Sequence, residues 1–325
     1  MSRRTLPCLA VLIACALIPT AAQAANTSYK TGVSDQVPNS FLNPLYSNLG
    51  MSTARYITPY DVMALEPGAR QRAELGAWIA NARNARQDIL ISFEHSHTRG
   101  RERHVPSAKE FATNLKAFMR AYPFVRSISP WNEANRCQRA VGSGADVFYV
   151  GQPICHNPKK AALYYNATVR TCRQLKRKCR IVALDILDQN NVKPSVRYVR
   201  SFLKTARPFP KIWGFHNYSD TNRFSTKRTK ALLKASRRGQ VWLTETGGIV
   251  KFGQSFPFDT QRAARALGCM FTIAKSSTRI KRLYIYNFAA AQPESSFDAG
   301  LVNTDGSARP GWDVVKARKA SACRR

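Results

Sequence analysis

The chain has 325 residues, with 51 Lys and Arg against 19 Asp and Glu, which gives a formal net charge of +32. Beyond residue 24 no segment approaches the ~20 consecutive apolar residues of a membrane-spanning helix, and we find no linker, low-complexity block or tandem repeat, so membrane-spanning and repeat proteins are excluded. The charge predicts attraction to polyanions such as acidic polysaccharide, cell wall, membrane surface or nucleic acid, or else a merely solvated basic surface.

The first 24 residues have the pattern of a signal peptide. Arg3 and Arg4 precede an apolar run, and the small residues of a signal-peptidase site follow at 22–24. We therefore expect cleavage after Ala24 and a secreted, monomeric protein with one domain over residues 25–325. The run before Cys15 also resembles a lipobox, and in that alternative a lipid on Cys15 would anchor the protein.

Eight short runs rich in β-forming residues alternate with amphipathic stretches along the chain. This alternation is typical of βαβ units around a parallel sheet, and eight units predict a (β/α)8 TIM barrel. The predicted strands are Thr31–Ser34, Ala54–Thr58, Ile89–Phe93, Val125–Ser129, Ile181–Asp185, Ile212–His216, Val241–Thr244 and Leu283–Tyr286.

Helix-start signals support this assignment. A capping box begins at Ser107, an Asn-Pro pair begins at Asn157, and Asp259 is placed to cap a helix near the C-terminus. The stretch between residues 34 and 52 is rich in Asn and Pro and predicts an irregular first connection.

Six cysteines follow the expected signal peptide, and an even number in an exported chain favours disulfides. Fifteen pairings are possible; local pairing favours Cys137–Cys155, Cys172–Cys179 and Cys269–Cys323. The first pair would close an insert at residues 136–156, after the fourth strand, into a rigid wall that offers Phe148 and Tyr149 as aromatic subsites. The alternative is that the insert has no role in substrate binding.

Acidic residues are scarce, and their positions carry information. Seven of the 19 lie at or just beyond the C-terminal ends of predicted strands, whereas Lys and Arg concentrate in predicted helices. The carboxyl ends of the strands form the active-site face of a (β/α)8 barrel, so the carboxylates would meet there. The residues concerned are Asp35, Asp61, Glu94, Glu133, Asp188, Asp220 and Glu245.

Two motifs end the fourth and seventh strands. Residues 129–135 read SPWNEAN and residues 242–248 read WLTETGG. With these motifs the chain resembles the clan A retaining glycoside hydrolases, in which an Asn-Glu pair after strand four gives the acid/base and a Glu ending strand seven gives the nucleophile. The resemblance covers the mature chain in architecture but only these short motifs in sequence. It implies that Glu133 is the acid/base and Glu245 the nucleophile.

Such a mechanism needs two carboxyl groups about 5–5.5 Å apart, one protonated and one ionised. Glu133 should then have a raised pKa, whereas Glu245 should stay ionised among hydrogen-bond donors. The resemblance further implies that Asn132 holds the sugar 2-hydroxyl and that Tyr218 and Arg55 support the nucleophile.

Other residues complete the predicted substrate site. His216 ends strand six and Trp131 precedes the Asn-Glu pair. Clan members often place a Trp at the end of strand eight, but this chain has Tyr286-Asn287-Phe288, so Phe288 or Tyr286 is the candidate for sugar stacking. His95 and His97 could line the same pocket, and we expect neither a metal nor a cofactor.

The sequence therefore predicts a secreted glycosidase acting on a carbohydrate that could be acidic or associated with a cell wall, with no specific nucleic-acid partner. The alternative is a non-catalytic carbohydrate- or polyanion-binding protein on the same barrel. An inverting or transglycosylating enzyme is a third option. Sugar identity, linkage and endo or exo action stay open.

Overall fold

A computed structural model describes residues 28–142 and 147–324; the expected signal peptide and Cys15 lie outside the described residues. The strands are β1 Lys30–Ser34, β2 Thr53–Pro59, β3 Asp88–Glu94, β4 Ser127–Ser129, β5 Arg139–Val141, β6 Phe148–Val150, β7 Arg180–Leu187, β8 Ile212–His216, β9 Gln240–Thr246, β10 Lys251–Phe252, β11 Ile280–Ile285 and β12 Phe297–Asp298. The helices are α1 Pro44–Ser47, α2 Arg70–Asn84, α3 Ala108–Ala121, α4 Pro158–Gln174, α5 Val192–Thr205, α6 Tyr218–Asn222, α7 Lys227–Ala235, α8 Thr260–Lys275 and α9 Pro310–Lys316, with 3₁₀ turns at Pro38–Leu42 and Val62–Ala64.

Eight of these strands close into a parallel barrel in the order β1-β11-β9-β8-β7-β4-β3-β2. This order confirms the predicted (β/α)8 barrel, and each predicted strand overlaps an observed one. The largest difference lies in the eighth barrel strand, β11, which begins at Ile280, before the predicted Leu283. Charged residues at the start of β11 interrupt the apolar pattern on which the strand prediction depended. One of them, Arg282, points into the barrel and donates to Asp88 at 2.8 Å.

The predicted helix caps are present. Ser107 accepts a hydrogen bond from the backbone N–H of Glu110 at 3.0 Å, and Asn157 and Asp259 cap α4 and α8 in the same way. Within the described residues no helix combines the length and apolar character needed to cross a bilayer.

The barrel wall buries two apolar layers, one on each face. The larger layer lies between strands and helices, and it is built from the residues of each strand that face the helices. The smaller layer is a separate cluster contributed by five different barrel strands, and it fills the lower interior. Its members are Leu90, Val182, Ile212, Trp242 and Tyr284.

Towards the carboxyl ends of the strands the barrel interior becomes polar. The side chains of Arg55, Ser92, Asp185 and Thr244 are fully buried there and hydrogen-bond to one another. Gly214 leaves the room for this group, because a Cβ at that position would lie 1.9 Å from Oδ1 of Asp185. This charged layer inside the barrel thus lies directly beneath the predicted site.

Disulfides join Cys137 to Cys155, Cys172 to Cys179, and Cys269 to Cys323, which confirms the local pairing. The first closes the insert after β4, in which β5 and β6 form an antiparallel hairpin. Gly151 is required at the base of this hairpin, because its φ is +88° and a Cβ would lie 2.5 Å from the carbonyl oxygen of Cys137.

Candidate active site

Arg55, on β2, is the centre of the site. Its guanidinium is fully buried and donates to Glu245 Oε2 at 2.7 Å, to Asn132 Oδ1 at 2.7 Å and to Asp185 Oδ2 at 3.1 Å. One cation thereby orients residues from three other barrel strands. Arg55 was expected to support Glu245, and the structure brings the two together.

Glu245, near the end of β9, receives a second donor. The hydroxyl of Tyr218, at the start of α6, donates to Glu245 Oε1 at 2.9 Å. Both carboxylate oxygens of Glu245 are therefore fixed, one by a cation and one by a neutral hydroxyl. Burial raises the pKa of Tyr218 well above its ordinary value, and the charge of Glu245 adds to this effect, so the hydroxyl keeps its proton.

Glu133, just after β4, is held in its ionised form. Its Oε2 accepts from Arg136 at 2.8 Å, and its Oε1 lies 3.2 Å from Nδ1 of His216. Burial alone would raise the pKa of Glu133, but the charge of Arg136 and the hydrogen bond from His216 outweigh it and lower that pKa to about 2. The expectation of a raised pKa is therefore wrong for the free site, because Arg136 stabilises the carboxylate.

His216 lies between the two glutamates. Its Nε2 is 3.3 Å from Arg55 Nη2, and its Nδ1 is 3.8 Å from Glu245 Oε2 in addition to the contact with Glu133. Because arginine can only donate, Nε2 must accept, and Nδ1 carries the proton donated to Glu133. The ring thus links Arg55 to Glu133 through its two nitrogens.

One carboxylate oxygen of Glu133 and one of Glu245 lie within 4.8 Å of each other. In a glycosidase a separation near 5 Å suits direct attack by one carboxylate on the anomeric carbon, whereas a separation of about 6.5–9.5 Å leaves room for an attacking water. These two oxygens are therefore closer together than the spacing that leaves room for an attacking water.

Asn132 connects Arg55 to the contacts of the insert. Its Oδ1 accepts from Arg55, and its Nδ2 donates to Glu94 Oε2 at 3.3 Å. Gln152, at the end of the hairpin, donates to the same Glu94 oxygen at 3.1 Å and accepts from the indole N–H of Trp131 at 2.8 Å. The amide of Asn132 is held in one orientation from both sides.

Two predicted substrate contacts lie in the core instead of the cleft. Trp131 is 1% exposed and stacks on Tyr164, with a centroid distance of 4.8 Å. Phe288 is 2% exposed and packs edge-on against Tyr46. Neither ring offers a face to a sugar in this structure, because both fill the layer between the barrel and its helices.

Sequence reasoning missed two residues that the structure brings into the site. Asp185 pairs with Arg55 inside the barrel, and Arg136 pairs with Glu133 at its rim. The available signals were an acidic residue within an apolar parallel strand, and an arginine three residues after the Asn-Glu pair. Burial would raise the pKa of Asp185, but Arg55 outweighs this and lowers it, so the buried pair is charged on both sides.

Three clusters in the described ranges bring together side chains of the types that bind metals. Cys137 and Cys155 are joined in a disulfide and are not thiolates. Glu133 and Glu245 are already paired with arginines, and Glu94 accepts from His97 at 2.9 Å in the group that includes His95. We assign no metal to these clusters, and the expectation of a metal-free site stays a prediction.

No family model matches the chain, and no curated protein matches it by sequence. Solved structures do match in fold. A GH5_18 protein from Streptomyces cattleya in complex with GlcNAc has a TM-score of 0.60 at 14% identity, covering 90% of this chain and 79% of that one. A family 39 glycoside hydrolase from Bacteroides cellulosilyticus WH2 has a TM-score of 0.58 at 12% identity, covering 90% and 63%.

Xylanase 10B from Thermotoga maritima has a TM-score of 0.57 at 11% identity, covering 89% of this chain and 94% of that one. At such identities the likeness establishes the fold alone. The chain has the barrel found in glycoside hydrolases of clan A, which confirms at the level of fold the resemblance drawn from the two motifs.

Proposed function

We propose that the protein is a secreted retaining glycoside hydrolase in which Glu245 is the nucleophile and Glu133 the acid/base. The observation that carries the proposal is the approach of the two carboxylates to within 4.8 Å at the carboxyl ends of the fourth and seventh barrel strands. The fold shared with glycoside hydrolases and the three disulfides of an oxidising compartment support it.

The first step is attack by Glu245 on the anomeric carbon. Arg55 and Tyr218 fix the two oxygens of this carboxylate, so little reorganisation is needed before attack. As the glycosidic C–O bond breaks, protonated Glu133 transfers its proton to the leaving oxygen. In the second step Glu133, now ionised, accepts a proton from water, the water oxygen attacks the anomeric carbon, and the bond to Glu245 breaks.

Asn132 is the proposed ligand of the sugar 2-hydroxyl. Its position between Arg55 and Glu94 fixes the amide next to the reacting pair. A hydrogen bond at this hydroxyl strengthens in the oxocarbenium-like transition state and therefore lowers the barrier more than it strengthens ground-state binding.

The test is a screen of fluorogenic glycosides and natural polysaccharides with the secreted protein, followed by Glu245→Gln on the best substrate. The variant should fold, as judged by circular dichroism, and lose turnover. Proton NMR of the first-formed anomer should show retention of configuration. Full activity in Glu245→Gln would end the proposal, and an inverted first product would contradict the double displacement.

The pairing of both glutamates with arginines is the observation that favours a second candidate, a non-catalytic protein that binds carbohydrates or polyanions. A salt titration separates the two candidates. Binding of a polyanion weakens steeply as ionic strength rises, whereas hydrolysis of a neutral glycan barely responds.

A further inference from the structure

Arg136 occupies an unusual position beside the proposed acid. Its Nη1 donates to Glu133 Oε2 at 2.8 Å, yet 41% of its side chain is exposed, compared with 7% for Glu133. In the part of the chain that the structure describes, Nη1 is the one guanidinium nitrogen of Arg136 with a hydrogen bond. The remaining N–H donors of this guanidinium have no hydrogen-bond acceptor among the described residues.

The backbone of Arg136 is held by the hairpin, whereas its partly exposed side chain is held by one hydrogen bond, to Glu133. Its carbonyl accepts from the N–H of Gln152 at 2.7 Å, and the next residue, Cys137, is bonded to Cys155. The guanidinium can therefore turn from Glu133 to another anion by side-chain rotation, without movement of the hairpin.

The ion pair between Arg136 and Glu133 opposes the proposed role of Glu133 as an acid. An acid/base must carry a proton before it can protonate the leaving oxygen, but Arg136 stabilises the form of Glu133 without one. A neutral substrate brings no charge that competes for the guanidinium. A carboxylate on the substrate competes directly, because its planar pair of oxygens matches the fork of an arginine.

We propose that Arg136 is a specificity-determining residue that binds the carboxylate of a uronic acid in the leaving-group part of the substrate, and that this exchange of partners releases Glu133 to take up a proton. The inference rests on the proposed function, and it names the substrate class as acidic glycans. Released Glu133 gains one proton from solvent and transfers it to the leaving oxygen as the glycosidic bond breaks.

The surroundings of Arg136 fit an acidic polymer. Nε2 of Gln138 donates to the carbonyl of Glu102 at 2.8 Å, so the insert contacts the loop that follows β3. The exposed residues of that loop include Arg99, Arg101 and Arg103. A polyanion approaching the cleft from this side meets several cations before it reaches Arg136.

Release of Glu133 from Arg136 should change the pKa of the Glu133 carboxyl. The groups that act on it come from several elements around the cleft, and Arg136 is the cation in direct contact. Arg136→Gln should raise the pKa of the Glu133 carboxyl towards its ordinary value, measured by ¹³C NMR of the side-chain carboxyl. The charged and titratable groups facing the pair are His216 from β8, Glu245 from β9, Glu94 from β3, Arg55 from β2, Tyr218 from α6 and Tyr286 after β11.

The kinetic test compares uronic-acid polysaccharides with the same polymers after chemical reduction of their carboxyl groups. Wild-type kcat/KM should be about tenfold or more higher on the acidic form, as expected for a hydrogen-bonded charge pair. Arg136→Gln should reduce this ratio towards one, mainly by raising KM on the acidic form, and Arg136→Lys should keep part of it. Arg139→Gln, which removes the same charge from the same hairpin, should keep the full ratio.

The outcomes separate this inference from the proposed function. Hydrolysis of neutral and acidic forms at equal rates, or an acidic preference that survives Arg136→Gln, would overturn the role of Arg136 and leave the glycosidase standing. If the folded protein cleaves no glycan, calorimetry with uronic-acid oligosaccharides still tests recognition. Binding that is lost in Arg136→Gln but kept in Arg139→Gln would support the site, and binding unaffected by Arg136→Gln would refute it.

Discussion

Arg55 and Asp185 form an ion pair inside the barrel, with 3.1 Å between Nη2 and Oδ2 and with both side chains fully buried. The same guanidinium holds Glu245 at 2.7 Å. The carboxylate of Asp185 also accepts from Ser92 at 2.8 Å and from Thr244 at 2.7 Å, so the described partners of this carboxylate lie within the polar layer of the barrel. The pair thus links the stability of the barrel to the placement of the proposed nucleophile.

Replacement of Asp185 by Asn should therefore lower both stability and activity. The variant removes the carboxylate that accepts from Arg55, Ser92 and Thr244, although Glu245 still balances the charge of Arg55. Weakening the hydrogen bonds of a buried charged group costs about 1.5–3 kcal/mol. Urea denaturation at pH 7 measures the change in the free energy of unfolding. The matched control is Glu66→Gln, at an exposed loop position, which should leave the denaturation midpoint unchanged. An equal midpoint in Asp185→Asn and wild type would contradict the structural role of the pair.

Replacement of Tyr218 by Phe should slow turnover without unfolding the protein. The hydroxyl donates to Glu245 Oε1 at 2.9 Å, and hydrogen bonds to charged groups contribute about 1.5–3 kcal/mol. We expect kcat/KM to fall between about tenfold and a hundredfold, measured on the best substrate of the screen. Tyr122→Phe, on the outer side of the barrel after α3, should retain wild-type kinetics. Unchanged kinetics in Tyr218→Phe would remove this tyrosine from the proposed site.

The periodicity of the sequence was enough to predict the barrel and the position of its active-site face. The alternation of strands and helices, and carboxylates directly after strands, placed Glu133, Glu245 and Arg55 correctly on their elements. Pairing each cysteine with its neighbour along the chain also identified the disulfides. The strands, the helices and the residues at strand ends depend on neighbouring residues in the sequence, and a sequence pattern reports on such neighbours.

The details of the site depend on contacts between distant strands. The pairing of β7 with β8 shifts register between Val182 and Asp185, so simple alternation does not reveal that Asp185 faces the interior. The same limit applies to Trp131 and Phe288, because an aromatic residue after a strand can fill the core or line the cleft. The pKa of Glu133 depends on the rotamer of Arg136, which no sequence pattern specifies.

Asp188, after β7, should make stability depend on pH. Burial raises its pKa, and the nearby charge of Asp220 adds to the rise, although backbone N–H groups of Ser219 and Asp220 oppose it; the result is a pKa of about 7. The folded protein then holds a proton that the unfolded chain releases between about pH 4 and pH 7. Stability from this group is therefore present at the acidic end and is lost as the pH rises through that window.

Asp188→Asn cannot ionise and should remove this loss. The free energy of unfolding of the variant minus that of wild type should rise by roughly 3–4 kcal/mol between pH 4 and pH 7. Guanidinium denaturation at several pH values measures the difference. Thr113→Ala, which removes no titrating group from an exposed position of α3, should give a flat difference over the same range. A flat difference for Asp188→Asn as well would show that this carboxyl titrates alike in both states.

The disulfide between Cys137 and Cys155 should matter for activity more than the other disulfide of short span. It closes the hairpin that fixes the backbone of Arg136 and positions Gln152, whose amide contacts Glu94 and Trp131. The double replacement by Ser should cost about 2–4 kcal/mol of stability and should also lower kcat/KM, because the insert no longer holds these groups beside Asn132 and Glu133.

The matched control is the same replacement at Cys172 and Cys179, which joins the end of α4 to the start of β7, away from the cleft. This variant should lose a similar amount of stability, since the entropy of loop closure changes only slowly with loop length. It should keep wild-type kcat/KM at a temperature where both variants are folded. If the two variants lose activity in equal proportion, the first disulfide acts through global stability alone, and the hairpin has no separate part in holding the site.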